Sequence, residues 1–220
     1  MIALLIPAYN AADTLPELLR RTAGFVRPQD VIVVDDGSLD ETRALAGTFG
    51  VKVLWHGKNL GKGAALRTGF EYITSSTRYE AVITMDADLQ HRPEELPAFL
   101  NARAHRGSSM VVGYRSRIGT GMPLHRILSN TITSALVTVR TGVAIKDSQS
   151  GFRLIGREVL DVITLESDGY EAETELLIKC ALKGFTIEFI PVATVYDGEP
   201  SHMTHWDTTR KFLKVLLKDY

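Results

Sequence analysis

Short apolar runs alternate with helical patterns along the first half of the chain. The runs have the length of buried strands, and each helical pattern starts at an acidic, proline or glycine signal. The strand-like runs are Ile2–Ile6, Val31–Asp35, Val51–Trp55, Ala81–Met85 and Met110–Val112, and the helical patterns begin near Ala12, Asp40, Lys62 and Pro93. Strict alternation of this kind predicts right-handed βαβ units. We therefore expect an α/β fold with a mainly parallel central sheet flanked by helices.

The composition is typical of one globular domain. With 220 residues, of which 45% are hydrophobic, the chain can bury a sizeable core. A formal net charge of -1 gives no reason to expect nucleic acid as a partner. The single cysteine, Cys180, excludes an internal disulfide. No apolar run approaches the roughly 20 residues that a spanning helix needs, and Ile2–Ile6 is too short for a signal peptide. We expect no transmembrane helix and a cytoplasmic chain.

Two carboxylates and an amide, Asp86, Asp88 and Gln90, follow the fourth strand-like run. They should emerge at the carboxyl end of that strand, where open α/β sheets bind their ligands. Clustered carboxylates repel each other unless a cation lies between them. Oxygen-only ligation suits Mg²⁺ or Mn²⁺, and Mg²⁺ commonly uses one or two protein carboxylates together with phosphate oxygens and water. The segment therefore predicts a divalent metal that holds a diphosphate, with a solvated acidic turn as the alternative.

Four further motifs occur in a fixed order around this segment. They are Ile6–Asn10 after the first strand, Val33–Ser38 closing the second, Asn59–Ala64 opening a helix, and Asp147–Arg153 in the second half. Together with Asp86–Gln90 they resemble the family-2 glycosyltransferases of the GT-A fold, in particular the polyprenyl-phosphate branch with its dolichyl-phosphate mannose synthases and glucosyl relatives. The resemblance implies a Rossmann-like, nucleotide-sugar-binding catalytic domain over residues 1–220. We expect residues 1–114 to bind the nucleotide sugar and residues 115–220 to bind the acceptor.

The resemblance implies a metal held by Asp86, Asp88 and Gln90, with Asp88 as the favoured direct ligand. It also implies a set of nucleotide contacts, which are Pro7, Ala8, Tyr9, Asp35, Asp36, Lys62, Asp86 and Ala87. The Asp36 carboxylate can accept hydrogen bonds from a base or a ribose, although a plain strand-ending turn would also explain the acidic pair. The segment from Gly61 lacks the third glycine of a dinucleotide fingerprint and the spacing of a Walker loop. We expect Lys62 to contact a phosphate, helped by a helix amino terminus; a solvated lysine is the alternative.

The second half offers groups for an acceptor phosphate. Arg115 and Arg117 follow the fifth strand-like run, and guanidinium groups are well suited to phosphate. Arg126 and Asn130 lie four residues apart on one face of the next helical pattern. The resemblance implies that arginines after this strand meet the acceptor phosphate, whereas surface arginines are the alternative. His202 lies in a loop that resembles a Gly-Glu-Ser-Lys type segment and could touch a phosphate.

The nature of the acceptor decides whether a general base is needed. A phosphate monoester is already an anion at neutral pH and needs positioning, whereas a sugar hydroxyl needs a base. Asp147 and Glu173 are the candidate bases, with Glu175 as the alternative to Glu173, although acidic residues in a first helical turn often only complement the helix dipole. The residues expected at the reaction centre are Asp88, Gln90, Arg115, Arg117, Asp147, Gln149 and Glu173.

Two amphipathic segments suggest a surface for the hydrophobic tail of the acceptor. The residues Leu124, Ile127, Leu128, Ile132, Leu136 and Val139 recur at helical spacing, although such a pattern usually marks the core face of a surface helix. The C-terminal stretch interleaves Trp206, Phe212, Leu213, Val215, Leu216, Leu217 and Tyr220 with Arg210, Lys211, Lys214 and Lys218. Such a helix can lie on a membrane surface, or it can pack on its own domain or on another subunit, and the sequence leaves these interpretations open.

The sequence as a whole predicts a metal-dependent, inverting glycosyltransferase. It would move a hexose, mannose or glucose, from a UDP- or GDP-sugar to a polyprenyl or dolichyl phosphate at the cytoplasmic face of a membrane. The alternatives are the same donor chemistry with a sugar or glycan hydroxyl as acceptor, and a non-catalytic module that binds a nucleotide sugar.

Overall fold

A computed structural model describes residues 1–115, 124–193 and 205–220. In these ranges seven strands form one sheet. The strands are β1 (Ile2–Ala8), β2 (Val31–Asp35), β3 (Lys52–Trp55), β4 (Ala81–Thr84), β5 (Met110–Arg115), β6 (Arg153–Gly156) and β7 (Ile187–Val192). The helices are α1 (Leu15–Thr22), α2 (Thr42–Gly47), α3 (Lys62–Thr74), α4 (Leu96–Arg106), α5 (Leu124–Thr141), α6 (Arg157–Leu160), α7 (Glu171–Leu182) and α8 (His205–Leu217). Arg117, the loop around His202 and the side chain of Trp206 lie outside the described part.

The predicted α/β fold is confirmed, and the alternation of strands and helices holds over the first half. The strand order is β3-β2-β1-β4-β6-β5-β7. Every pairing in this sheet is parallel except the two that β6 makes with β4 and β5. The helix expected near Ala12 begins at Leu15, and the one expected at Pro93 begins with a 3₁₀ turn, Pro93–Glu95, before α4. The sequence did not predict β6 or β7.

The antiparallel strand β6 brings the second half of the chain to the predicted site. Arg153 is paired with Thr84 of β4 on one side and with Val112 of β5 on the other. Since β6 runs against its neighbours, its first residue lies at the edge where the parallel strands end. The segment 147–152 therefore lies beside the segment that follows β4. Strands from both sides of residue 114 join one sheet, and the division into a donor half and an acceptor half stays a prediction.

Helices cover both faces of the sheet, as the continuous apolar character of β1 requires. Leu4 and Ile6 point to the face that carries α1 and α4. Ala3 and Leu5 point to the other face, where α3, α7 and α8 contribute to the core. In the described ranges no helix combines the length and the apolar character that a membrane crossing requires.

The prediction that the apolar residues of α5 form a core face is wrong for four of them. Leu128, Ile132, Leu136 and Val139 are between 39% and 84% exposed. The buried positions of this helix include Asn130, Ser134 and Val137. The helical spacing correctly placed these four residues on one face of the helix, but that face is exposed to solvent.

The C-terminal helix α8 packs on its own domain through part of its apolar surface. Phe212, Val215 and Leu216 are buried in the core, whereas Leu213 and Leu217 are exposed. The packing interpretation is therefore confirmed for the first three residues. Contact of the exposed residues with a membrane stays a prediction.

Gly63 allows α3 to approach the loop before α7, and we expect an alanine there to destabilise the fold. A Cβ at Gly63 would overlap the carbonyl oxygen of Ser167 and lie 2.7 Å from the Cβ of Ala172. Although alanine normally favours helices, Gly63→Ala should lower the free energy of unfolding by about 1–3 kcal/mol because backbone has to move. Gly47→Ala at the end of α2 is the control, since nothing lies within 4 Å of its Cβ. It should raise the free energy by roughly 0.5–1 kcal/mol. Urea denaturation measures both, and changes of equal sign would contradict the packing argument.

Candidate functional site

The predicted donor side of the site includes two loops, which follow β1 and β2. The amide of Asn10 donates to Ser38 Oγ at 2.9 Å, and the amide of Leu39 donates to Asn10 Oδ1 at 2.9 Å. The loops are thereby fixed to each other. Pro7 and Ala8 are buried within β1, whereas Tyr9 is 45% exposed. Of these three predicted nucleotide contacts, Tyr9 has an aromatic face open to a ligand.

The two acidic residues after β2 are buried and internally bonded. Asp36 accepts the amides of Leu60 and Gly61 at 2.9 and 2.8 Å, and its Oδ1 lies 2.7 Å from His56 Nδ1. Asp35 accepts the amide of Ser38 at 3.2 Å. Asp36 therefore holds the loop that leads into α3. A direct contact between either carboxylate and a nucleotide stays a prediction.

Lys62, the first residue of α3, lies between two of the predicted site carboxylates. Its Nζ is 2.5 Å from Asp86 Oδ1 and 2.7 Å from Glu173 Oε1. Burial alone would lower the pKa of Lys62, but the charges of Asp86 and Glu173 outweigh it and raise that pKa well above its usual range. Burial would likewise raise the pKa of Asp86, and the charge of Lys62 instead holds it below its usual range. The lysine is a cation and Asp86 a carboxylate at neutral pH.

The amino terminus of α3 already has a protein partner. The amides of Gly63 and Ala64 donate to the carbonyl oxygen of Asp168 at 2.7 and 3.2 Å. These two amides are therefore not available to a bound phosphate, contrary to the expectation for this helix end. Contact of the Lys62 ammonium with a phosphate stays a prediction.

The predicted metal segment forms the turn directly after β4. Asp86 is held by Lys62, Ala87 is buried, and Asp88 Oδ1 accepts the amide of Gln90 at 3.0 Å. Among the described residues no three His, Cys, Asp or Glu side chains converge in the way that an all-protein metal site needs. Two carboxylates and an amide oxygen fit a divalent ion of the Mg²⁺ type, which takes its other ligands from phosphate and water.

The residues predicted for the acceptor side include a buried ion pair. Arg115 donates from Nε and Nη2 to the two carboxylate oxygens of Asp147 at 2.8 and 3.0 Å. Burial would raise the pKa of Asp147, but the hydrogen bonds and the charge of Arg115 hold it below its usual range. The amide of Gln149 donates to the same carboxylate at 3.1 Å, and the exposed side chain of Gln149 reaches Thr133 at 3.3 Å. The predicted residues Arg115, Asp147 and Gln149 are thus brought together.

Asn130 and Arg126 lie on α5 beside this group. Asn130 is buried, its Oδ1 accepts from Ser134 Oγ at 3.0 Å, and its Nδ2 has no hydrogen-bond partner among the described residues. Ser134 Oγ in turn accepts the amide of Ser148 at 3.1 Å. Asn130 therefore belongs to the network that supports the segment 147–149. Arg126 is half-buried on the same helix, and its contact with an acceptor phosphate stays a prediction.

Glu173 and Glu175, which the sequence could not separate, have different environments. Glu173 meets Lys62 in the site, whereas Glu175 accepts the amides of Glu166 and Ser167 at 2.9 and 2.8 Å. Lys179 Nζ lies 2.6 Å from Glu175. Glu175 is accordingly a loop-holding residue, and Glu173 is the acidic residue of α7 that reaches the centre.

Sequence reasoning missed three residues of this region. Arg153 is buried and donates to three backbone carbonyls, while Gly151 lies against the carboxylates of Asp86 and Glu173. His91 stacks on Phe152 with ring centroids 5.2 Å apart, and burial lowers its pKa to about 4. Gly151 and Arg153 belong to the motif Asp147–Arg153. The available signal was an arginine next to apolar residues. His91 directly follows Gln90 and carried no comparable signal.

A cavity of about 500 Å³ lies between α8 and the loops 59–61 and 166–169. Lysines of α8 and acidic residues of the second loop line it, among them Lys214, Lys218, Glu166 and Asp168. Glu175 lines this cavity, whereas Lys62, Asp86, Asp88, Arg115, Asp147 and Glu173 do not. The site is thus defined by its converging charges and not by this volume.

Comparison with known proteins decides the family. The sequence profile described as Glycosyl transferase family 2 matches residues 3–164. The chain belongs to glycosyl transferase family 2. It is therefore a glycosyltransferase, and the predicted resemblance is confirmed.

Relatives within the family include enzymes named for polyprenyl-phosphate acceptors. The polyprenol monophosphomannose synthase of Mycolicibacterium smegmatis is 32% identical over 86% of this chain and 75% of its own length. The undecaprenyl-phosphate mannosyltransferase of Micrococcus luteus is 32% identical over 87% of this chain and 82% of its own length. Among solved structures, glucosyl-3-phosphoglycerate synthase of Mycobacterium tuberculosis with Mn²⁺, UDP and phosphoglyceric acid has a TM-score of 0.77 at 22% identity, over 99% of this chain and 77% of that one. This likeness confirms the GT-A fold.

The Arg115–Asp147 pair predicts how acid affects stability. Because the pKa of Asp147 is lower in the folded than in the unfolded chain, its contribution is present above the unfolded value of roughly 4 and is lost as the pH falls toward the folded value. Asp147→Asn should lower the free energy of unfolding by about 3 kcal/mol at pH 7. This difference between the variant and the wild type should shrink below about pH 4. Urea denaturation at a series of pH values measures the difference. If the difference in the free energy of unfolding between the wild type and Asp147→Asn stays constant down to about pH 3, the ion pair is not the cause of the acid dependence.

Proposed function

We propose that this glycosyltransferase moves a hexose from a nucleoside diphosphate sugar to a polyprenyl phosphate, in a metal-dependent reaction that inverts the anomeric centre. The observation that carries the proposal is the pairing of both candidate bases. Asp147 is bound to Arg115 and Glu173 to Lys62, at distances of 2.7–2.8 Å for the closest atoms. The charge and hydrogen bonds of Arg115 lower the pKa of Asp147 and make it a weak proton acceptor, and the Lys62 ammonium occupies Oε1 of Glu173. The site therefore favours an acceptor that is already ionised.

The donor would lie over the loops after β1, β2 and β4. Tyr9 offers an aromatic surface to the base or ribose, and Lys62 offers a cation to the diphosphate. Asp86, Asp88 and Gln90 would hold Mg²⁺ or Mn²⁺. A divalent ion, when bound there, supplies charge neutralisation for the departing nucleoside diphosphate. Solved structures of the same fold carry Mn²⁺ or Mg²⁺ together with UDP, which is consistent with this assignment.

The acceptor would enter beside Arg115. Asp147 accepts from Nε and Nη2 of Arg115 and so fixes the plane of the guanidinium. A guanidinium with a fixed orientation is well suited to the oxygens of a phosphate. In this role Asp147 orients Arg115 and need not remove a proton. The acceptors named for the mycobacterial and micrococcal relatives support a lipid phosphate here.

A lipid acceptor requires access to a membrane surface, and two helices offer apolar groups for it. Leu128, Ile132, Leu136 and Val139 form an exposed stripe along α5. The exposed Leu213 and Leu217 lie on α8, which contacts α5 and also carries exposed lysines. We take these two surfaces together as the membrane-facing side, in peripheral contact with the bilayer that holds the acceptor.

The reaction class can be tested with one matched pair of acceptors. The protein, with Mn²⁺ or Mg²⁺ and either UDP-glucose or GDP-mannose, is offered a short polyprenyl phosphate or the polyprenol of the same chain length. We expect a hexosyl-phosphoryl lipid by mass spectrometry with the phosphate and no glycosylated polyprenol. Asp88→Ala should remove turnover with the fold intact by circular dichroism.

Transfer to a sugar or glycan that is added to the assay as an acceptor, with no transfer to the lipid phosphate, would contradict the proposed acceptor. In that case the rate should also fall steeply in acid, and Asp147→Asn or Glu173→Gln should remove this fall. Binding of a nucleotide sugar with no transfer to any acceptor would contradict the proposed reaction.

Membrane contact can be tested separately from turnover. The double variant Leu128→Ser, Val139→Ser should lower binding to mixed phosphatidylcholine and phosphatidylglycerol vesicles by about ten-fold or more, because exposed apolar area is removed. Leu100→Ser is the control, since Leu100 is an exposed leucine of α4 on the opposite face of the sheet. Co-sedimentation measures the binding. Equal loss in the double variant and the control would exclude the α5 stripe as the contact.

A further inference from the structure

The position of Lys62 has a consequence for how the metal and the donor bind. Its ammonium is 2.5 Å from Asp86 Oδ1, and Asp86 is one of the two carboxylates proposed to hold the divalent ion. The lysine side chain is only 14% exposed, so water screens this contact weakly. A protein cation and the proposed metal therefore compete for the same carboxylate.

The second partner of the lysine strengthens this arrangement. Lys62 Nζ is 2.7 Å from Glu173 Oε1, and both carboxylates lie against Gly151. A Cβ at Gly151 would be 2.5 Å from Asp86 Oδ2 and 2.8 Å from Glu173 Oε1. Two carboxylates that converge on so small a space need a cation between them, because their repulsion is strong at low effective dielectric. Lys62 supplies that cation in the donor-free protein.

We propose that Lys62 is a resident counter-ion, which keeps the divalent ion weakly bound until a nucleotide diphosphate draws the ammonium away from Asp86. The inference rests on the proposed metal and diphosphate site. A diphosphate offers the lysine new negative oxygens, and Asp86 is then released for the metal. The two ligands are thereby coupled: the nucleotide raises the affinity for the metal, and the metal raises the affinity for the nucleotide by the same factor.

The chain contains a lysine with the same local chemistry and no proposed metal ligand beside it. Lys179 Nζ lies 2.6 Å from Glu175 and 2.7 Å from Glu166, and its side chain is 9% exposed. Lys218 also pairs with Glu166. Lys179→Met therefore removes a buried cation from between two carboxylates without touching the proposed metal site. It is the matched control for Lys62→Met.

The experiment is calorimetric titration of Mn²⁺ into the protein alone and into the protein saturated with UDP or with GDP. For the wild type we expect the better of the two nucleotides to tighten Mn²⁺ binding on the order of ten-fold or more. Lys62→Met should bind Mn²⁺ more tightly than the wild type in the absence of nucleotide. It should show a smaller tightening by nucleotide, because only the direct ligation of the ion by the diphosphate remains. Lys179→Met should match the wild type in both respects. Circular dichroism checks the fold, and Lys62→Gln replaces Lys62→Met if the latter does not fold.

Three results would overturn the inference. One is equal Mn²⁺ affinity of the wild type with and without either nucleotide, which would leave the metal site standing but uncoupled. Another is Mn²⁺ binding to donor-free Lys62→Met or Lys62→Gln that is no tighter than to the wild type, which would make Lys62 a plain structural partner. Absence of Mn²⁺ binding to the wild type even with nucleotide would overturn the proposed metal site, and the counter-ion role with it.

Discussion

The buried guanidinium of Arg153 holds the two halves of the site together. The residue is 1% exposed, and it donates to the carbonyl oxygens of Ser150, Ser148 and Glu173 at 2.7, 3.1 and 2.5 Å. A buried charge is tolerated only when its hydrogen bonds are satisfied. Those three carbonyls belong to the segment before β6 and to the first turn of α7. The positions of Asp147 and Glu173 relative to the end of β4 thus depend on the side chain of Arg153, the first residue of a strand that lies between β4 and β5.

The fold was largely predictable because the first five strands coincide with apolar runs, which are typical of buried strands. The two missed strands have physical reasons. Strand β6 has four residues and opens with an arginine, which in isolation favours a surface position. Strand β7 is mostly half-buried, so it lacks both a clean alternation and a continuous apolar run. Their places in the sheet depend on pairing with residues far along the chain.

The sequence predicted several of the residues that the structure brings together, but it did not predict the contacts that each of them makes. A carboxylate after a strand has the same sequence context whether it faces a ligand or the amides of another loop. Asp36 faces the amides of Leu60 and Gly61, more than twenty residues further along, so its partners could not be deduced locally. The same limit applies to α5, where periodicity gives a face but does not say whether protein covers it. Pairings such as Arg115 with Asp147 depend on a fold that sequence spacing does not encode.

The strand order also bears on the sequence in which the sheet can be assembled. Strands β1 to β4 are mutual neighbours and are complete once residue 84 has been made, so the loops that surround Tyr9 and Asp36 can form early. Strand β5 pairs only with β6 and β7 within the described sheet, and both come later in the chain. On a ribosome, β5 therefore has to wait for a segment about forty residues further on. The pair of Arg115 and Asp147 can consequently form only after the loops around Tyr9 and Asp36, and the pair of Lys62 and Glu173 has to wait for residues that are made later still.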